Sequence, residues 1–298
     1  MIDDITTNRI SSNIDDLVKN ISDQRFSHWY YPRDDLLYMA LMVKQANTKY
    51  PQLNLYFVDE VGKLGTTIRN IISGGAESAR IVVNFAKDGI HFAALDYAVI
   101  GNRKSVILFE STSFDPRGGQ KKLVERVRDI IGEMNSGTMA VDRCCFTAAE
   151  MSIQKSATEC GIFSLAIAKK LYRQSPYLEK MHRANLNGTL LVHTPELDRV
   201  YEDCSTYELG FLPPQEVDKH LPVSFYKHVQ SRRRLEQYLT LNPAVRNEII
   251  NKKGETIFER LENNAAEDYS GKNISISIQR KRITEYRNIL RMMGGVES

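Results

Sequence analysis

The sequence predicts an α+β fold, a sheet with covering helices followed by a mainly helical C-terminal part. Three observations predict it: strand-like apolar runs between residues 53 and 110, helical periodicities on either side of them, and a proline-broken, more basic stretch beyond Tyr172. The first twenty-odd residues are polar and are expected to be loose or weakly helical. Asp34–Asn47 (DDLLYMALMVKQAN) carries apolar residues at helical spacing behind an acidic start that suits the helix dipole, and Pro51 closes it. Leu53–Val58 reads as a strand and Val61–Ile72 as a helix. Three strands are expected at Ala79–Phe85, His91–Val99 and Ser105–Glu110. Gly89 and Gly101-Asn102 punctuate them, so the last two form an antiparallel hairpin. A charged helix at Gln120–Met134, a strand at Met139–Glu150 and an apolar helix at Gly161–Tyr172 follow. Pro195, Pro213-Pro214 and Pro222 break the helical region beyond, and Ile283–Met292 makes a final amphipathic helix.

The chain has 298 residues, enough for one large or two smaller domains, and a net charge of +3, too small to imply nucleic-acid binding. Its basic residues cluster in Arg232-Arg233-Arg234, Lys252-Lys253 and Arg280-Lys281-Arg282. For any one such run, a solvated helix face is the commoner meaning. No apolar run approaches the length of a membrane span, and the acidic, polar N-terminus lacks the basic start and apolar core of a secretory signal. The four cysteines, Cys144, Cys145, Cys160 and Cys204, have neither C-x-x-C spacing nor the look of a disulfide framework, and no metal site is expected. Buried thiols in a reducing compartment are the reading for three of them.

Cys160 differs. Ser156-Ala157-Thr158-Glu159 matches the S-x-x-E capping box ahead of the apolar helix, which puts Cys160 in the first turn, where free N–H groups and the dipole favour a thiolate. Gly161 beside it leaves room for a substrate. On this feature alone a structural cysteine is still the commoner outcome. The hairpin changes the balance, because turning at Gly101-Asn102 brings Glu110 back beside His91, where an orienting carboxylate belongs. Asp96 lies mid-strand and is assigned to folding or solvation. Gln154, six residues before Cys160, could give an oxyanion-hole amide, or be an ordinary polar loop residue.

Those residues in that order carry a resemblance. His91-Phe92, Ile107-Leu108-Phe109-Glu110, Ile153-Gln154-Lys155-Ser156 and Glu159-Cys160-Gly161-Ile162-Phe163 closely resemble the YopJ family of bacterial type III effectors, and the order His, acid, Gln, Cys is similar to the wider clan of ubiquitin-like-protein cysteine proteases. Leu221–His228, Val245–Asn264 and Lys281–Tyr286 also have close counterparts, so the likeness runs from about Tyr31 onwards. It implies a protease-type central mixed sheet with covering helices. It also implies acetyl transfer from acetyl-CoA to serine, threonine and sometimes lysine of host signalling kinases such as MAP kinase kinases, with inositol hexakisphosphate as activator. Secretion by a type III system into the host cytoplasm, with a secretion chaperone, is implied too.

Carried over by position, His91, Glu110 and Cys160 match the triad and Gln154 the oxyanion residue. Lys227 matches an autoacetylated lysine near the activator, and Lys170, Lys281 and Arg282 resemble phosphate contacts. The implied organisation is a secretion or flexible segment at 1–30, a catalytic domain at 31–190 and a helical regulatory region at 191–298 that packs with N-terminal helices. Two departures stand out: Ser152 replaces the Asp usual in close relatives, and Leu191–Gly210 aligns poorly. Two other functions stay open on the residues alone: a peptidase of ubiquitin-like conjugates, which needs no acyl donor, and a non-catalytic host-binding protein that keeps the fold.

Overall fold

Residues 78–84 (SARIVVN) are buried on nearly every position, as a strand covered on both faces requires. In the computed structural model, which describes residues 4–23, 31–85, 90–113, 119–137, 139, 143–191, 211–267, 271 and 273–294, this strand is the second of a six-stranded sheet. The strands are β1 (Leu55–Val58), β2 (Ser78–Asn84), β3 (Phe92–Ile100), β4 (Arg103–Glu110), β5 (Cys144–Glu150) and β6 (Phe211–Leu212), hydrogen-bonded in that order. β2, β3 and β4 are antiparallel, whereas β1–β2, β4–β5 and β5–β6 pair in parallel, so the sheet is mixed and the fold α+β. The β3–β4 turn is at Gly101, whose φ of +66° a side chain would strain. Residues 140–142 of the expected Met139–Glu150 run, and Pro195 and Cys204, lie outside the described residues.

Alternation along the strands feeds two cores. Ile81, Val83, Ala93, Leu95, Val106 and Leu108 pack beneath α3 (Leu64–Ser73) and α4 (Gly119–Asn135). Val82, Phe92, Ala94, Ile107 and Phe109 face the other way, into a larger core shared by α1 (Asp4–Ser22), α2 (Tyr31–Lys49), α5 (Cys160–Arg173) and, near the C-terminus, α10 (Ser277–Met292). Between these lie α6 (Ser175–Leu186), α7 (Pro214–Val217), α8 (Arg232–Leu241), α9 (Ile257–Glu262) and the small hairpin of β7 (Ala265–Glu267) and β8 (Asn273–Ser275). None of the described helices is long and apolar enough to cross a membrane.

The stretch expected to be loose or weakly helical is instead the docked helix α1. Ile10, Ile14 and Leu17, at helical spacing, are all buried, and Asn13 donates to the Tyr38 hydroxyl at 3.0 Å. The final helix starts at Ser277, six residues before the expected Ile283, because Ile278 and Arg282 carry its buried stripe back towards the N-terminus.

Polar groups pin helices to the larger core. Arg80 donates to Asp96 at 2.9 Å, and Asp96 and Ser105 hold the two ring nitrogens of His182 on α6 at 3.1 and 2.8 Å, so Asp96 serves the fold. Arg234 on α8 forms a buried pair with Asp218, Nη1 to Oδ2 at 2.8 Å, while its Nε donates to the Met151 carbonyl at 2.9 Å. Asp218→Ala should cost roughly 3–5 kcal/mol in a urea titration, because it strands a buried guanidinium rather than removing a surface pair.

Candidate active site

Continuing the β3–β4 register Ala94↔Phe109 by one step sets Glu110 opposite Ala93. His91, two residues earlier, is then a diagonal neighbour on the same face, within reach of a long side chain. Its Nε2 lies 2.7 Å from Glu110 Oε2. Thr112 fixes the other carboxylate oxygen, donating to Oε1 from its backbone N at 2.9 Å and from Oγ1 at 2.8 Å. With Nε2 so engaged, Nδ1 is the nitrogen left to face the Cys160 side chain, which adds to the electrostatics of the ring.

Burial pushes the His91 pKa down, but the Glu110 charge and the neighbouring Cys160 side chain outweigh it and hold the imidazole well above its ordinary value. An imidazolium beside a thiol is the partner a thiolate needs. Cys160 is the first residue of α5, where the leading N–H groups have no intrahelical acceptor. Cys144, by contrast, is a buried thiol whose pKa is pushed up to about 11 by burial. Among the described residues no group of His, Cys, Asp and Glu is placed to hold a metal ion.

The loop before Cys160 is built differently from its sequence motif. The residue before the helix, Glu159, makes no side-chain cap, and the Ser156 hydroxyl lies 3.0 Å from Gln230 Oε1 instead of capping the helix. That same oxygen accepts from Lys155 N at 2.6 Å and Ser156 N at 3.0 Å, so Gln230 moulds the loop from 74 residues away. Gln154 N donates to the Ser111 carbonyl at 2.8 Å, which extends the chain beside the end of β4. Its side-chain oxygen accepts from Ser111 Oγ at 2.8 Å and its Nε2 donates to the Ser156 carbonyl at 2.6 Å, which leaves one amide hydrogen for another acceptor. Ser152 adopts φ +51°, a conformation that Asp tolerates better than Ser, and its hydroxyl meets Ser113 at 2.7 Å. Space beside Gly161 is not left for substrate: a Cβ there would sit 2.9 Å from Asp35 Cβ, so the α2 carboxylate fills it.

A cavity of about 750 Å³ opens between α5, α10 and the 224–264 segment. Nine cationic side chains line it (Lys49, Lys169, Lys170, Arg173, Lys227, Lys253, Arg260, Arg280 and Lys281) against two carboxylates, Glu255 and Glu285. Glu285 bridges Lys169 and Lys281 at 2.7 and 2.6 Å. Burial first, then the charges of Lys227, Arg173 and Lys281, push Lys170 down to about 8. Lys227 is lowered in the same way, by burial and then by Arg260, Lys281 and Arg173. So many cations around one cavity suit it to a polyanion.

Lys170, Lys227 and Lys281 therefore converge as expected, but Arg282 does not: it is fully buried, paired with Asp35, and absent from the cavity wall. Of the three basic runs, Arg232–Arg234 contributes nothing to the wall, while Lys49 and Arg173 join it unannounced by any run.

The model of the family described as YopJ serine/threonine acetyltransferase matches residues 10–288. The serine/threonine-protein acetyltransferase YopJ of Yersinia pestis is 38% identical over 288 residues, covering 97% of this chain and 92% of its own length. Among solved structures, AvrA delL154 with IP6 and CoA superposes with a TM-score of 0.82 at 38% identity, covering 95% of this chain and 98% of that one. HopZ1a in complex with IP6 and CoA gives 0.77 at 17% identity over 96% and 93%, a likeness of fold.

Proposed function

The chain belongs to the YopJ family of serine/threonine acetyltransferases, and from that premise we propose that it moves acetyl from acetyl-CoA through Cys160 to host signalling kinases such as MAP kinase kinases. The observation that carries this reading is the His91 ring, held by Glu110 at 2.7 Å, with its pKa raised by Glu110 and by Cys160, the first residue of α5. The Cys160 thiolate attacks the thioester carbonyl, with the oxyanion taken by the free Gln154 amide hydrogen and the α5 N-terminus. Collapse forms the acetyl-cysteine and expels the CoA thiolate, which takes the proton from His91. Neutral His91 then accepts the proton of a serine or threonine hydroxyl as it attacks, and the Cys160 thiolate leaves. Lysine side chains are a further acceptor class, Lys227 of this chain among them.

The activator in this reading is inositol hexakisphosphate, held by Lys170, Lys227 and Lys281 in the basic cavity. Support comes from the charge of that cavity and from the AvrA complex with IP6 and CoA at 38% identity. Residues 31–190 would supply the catalytic part and 191–298 most of the regulatory wall, in an effector delivered by type III secretion, with a chaperone, to the host cytoplasm. A peptidase of ubiquitin-like conjugates would leave the cavity without a use.

Peptide mass spectrometry after incubation with acetyl-CoA should show an acetyl thioester on Cys160, formed faster with inositol hexakisphosphate, and Cys160→Ala should take up no acetyl group. Equal acetylation of Cys160→Ala, or cleavage of a ubiquitin or SUMO substrate without acetyl-CoA, would overturn the proposal.

A further inference from the structure

Helix α10 presents two different surfaces. Lys281, Thr284, Glu285 and Asn288 line the basic cavity. Gln279, Arg282 and Tyr286 are buried on another side of the helix. Adjacent helical residues point about 100° apart, so Lys281 and Arg282 serve different neighbours. Arg282 forks onto Asp35, Nε to Oδ1 and Nη2 to Oδ2, both at 2.9 Å, and the same Nη2 donates to the Thr158 carbonyl at 2.9 Å. Tyr286 donates to Asp35 Oδ1 at 3.0 Å, and Gln279 donates to Glu159 Oε1 at 3.2 Å. Asp35 in turn is packed against Gly161, whose Cβ position it leaves no room for. Thr158, Glu159 and Gly161 flank Cys160 in the chain, so Arg282 and Gln279 directly, and Tyr286 through Asp35, reach within two residues of the thiol.

We infer that Arg282, clamped to Asp35, is a positioning residue for Cys160 and not a phosphate ligand. It acts through the Thr158 carbonyl and through the Asp35–Gly161 contact, which together set where the first turn of α5 starts. A shift of the sulfur relative to His91 of even 1 Å can lose about two orders of magnitude in rate. The planar fork is what the geometry uses: it holds two carboxylate oxygens and a carbonyl at once, which a lysine ammonium of equal charge cannot do in the same plane. The inference rests on reading Cys160 as the acetyl-accepting thiol.

The test compares Arg282→Lys and the milder Tyr286→Phe with the full-length wild type. Carbamidomethylation of Cys160 by iodoacetamide is followed across pH without any acyl donor. Acetyl transfer gives kcat and KM, calorimetry the affinity for inositol hexakisphosphate, and urea denaturation the stability. Arg282→Lys should lower kcat about 10- to 100-fold at little-changed KM and slow alkylation near neutral pH, while inositol hexakisphosphate affinity stays within about two-fold. Tyr286→Phe, which removes a single hydrogen bond, should fold even where the lysine variant does not, and should move kcat and alkylation the same way by a few-fold. Wild-type alkylation and kcat in a folded Arg282→Lys protein, or in Tyr286→Phe where the lysine variant does not fold, would overturn the inference. So would a loss of inositol phosphate affinity at unchanged thiol reactivity. A wild type that is alkylated at Cys160 yet never acetylated there would instead sink the acetyl-transfer reading.

Discussion

Glu110→Gln should lower kcat for acetyl transfer by on the order of 1,000-fold or more while the protein remains folded. The amide keeps the shape of the carboxylate and can still meet Thr112, but it brings no charge to the imidazole. Glu110 is the first of the influences that raise the His91 pKa against the opposing effect of burial. Without it the imidazolium beside Cys160 loses its counter-charge, and burial pulls the His91 pKa down. Alkylation of Cys160, which an adjacent imidazolium promotes, should therefore be slower near neutral pH in the variant than in the wild type. The stability of the fold should carry the same signature. A histidine whose folded pKa is raised contributes stability that is complete below its unfolded value of about 6.5 and is lost as pH rises through the folded value. That slope should flatten in Glu110→Gln. A variant with wild-type kcat and an unmoved alkylation profile would remove Glu110 from the proposed mechanism.

Reversing charge at Lys170 and Lys281 together should weaken inositol hexakisphosphate by at least about 100-fold, since each charge-assisted hydrogen bond to a phosphate contributes roughly 1.5–3 kcal/mol. Binding should also depend on pH in a defined direction. Lys170 sits at about 8 in the free protein, and a bound polyphosphate would raise it. Below that pH the lysine is charged before and after binding. Above it, binding must draw in a proton, so affinity falls as pH rises through 8, and calorimetry in buffers of different ionisation heat should show proton uptake. Affinity independent of pH between 7 and 9 would remove Lys170 from the ligand set.

How far these features were legible in the sequence follows from the range of the interactions that make them. Antiparallel pairing about Gly101-Asn102 is local, so the approach of Glu110 to His91 could be read from the turn and strand lengths. Cys160 at a helix start was legible for the same reason. The capping box was a local motif that a distant residue overrode: Gln230 takes the Ser156 hydroxyl and two adjacent N–H groups. Thr112, two residues beyond Glu110, carried no signal beyond its proximity. For Arg282 a signal was present. Ile278, Arg282, Tyr286 and Ile289 fall on one stripe of α10 while Lys281 lies off it, and that periodicity separates a buried arginine from a cavity lysine. Lys49 and Arg173 reach the cavity only through the packing of α2 and α5, which composition does not reveal.

The pair between Asp35 and Arg282 spans 247 positions of the chain. Contacts of such sequence separation are slow to form, because the intervening chain must first be ordered. A molecule growing from its N-terminus would thus already contain His91, Glu110 and Cys160, yet have no α10 to brace the turn that carries the sulfur. On this view competence arrives late, when the last helix closes over the first two, and partly made chains hold a thiol that is not yet aimed.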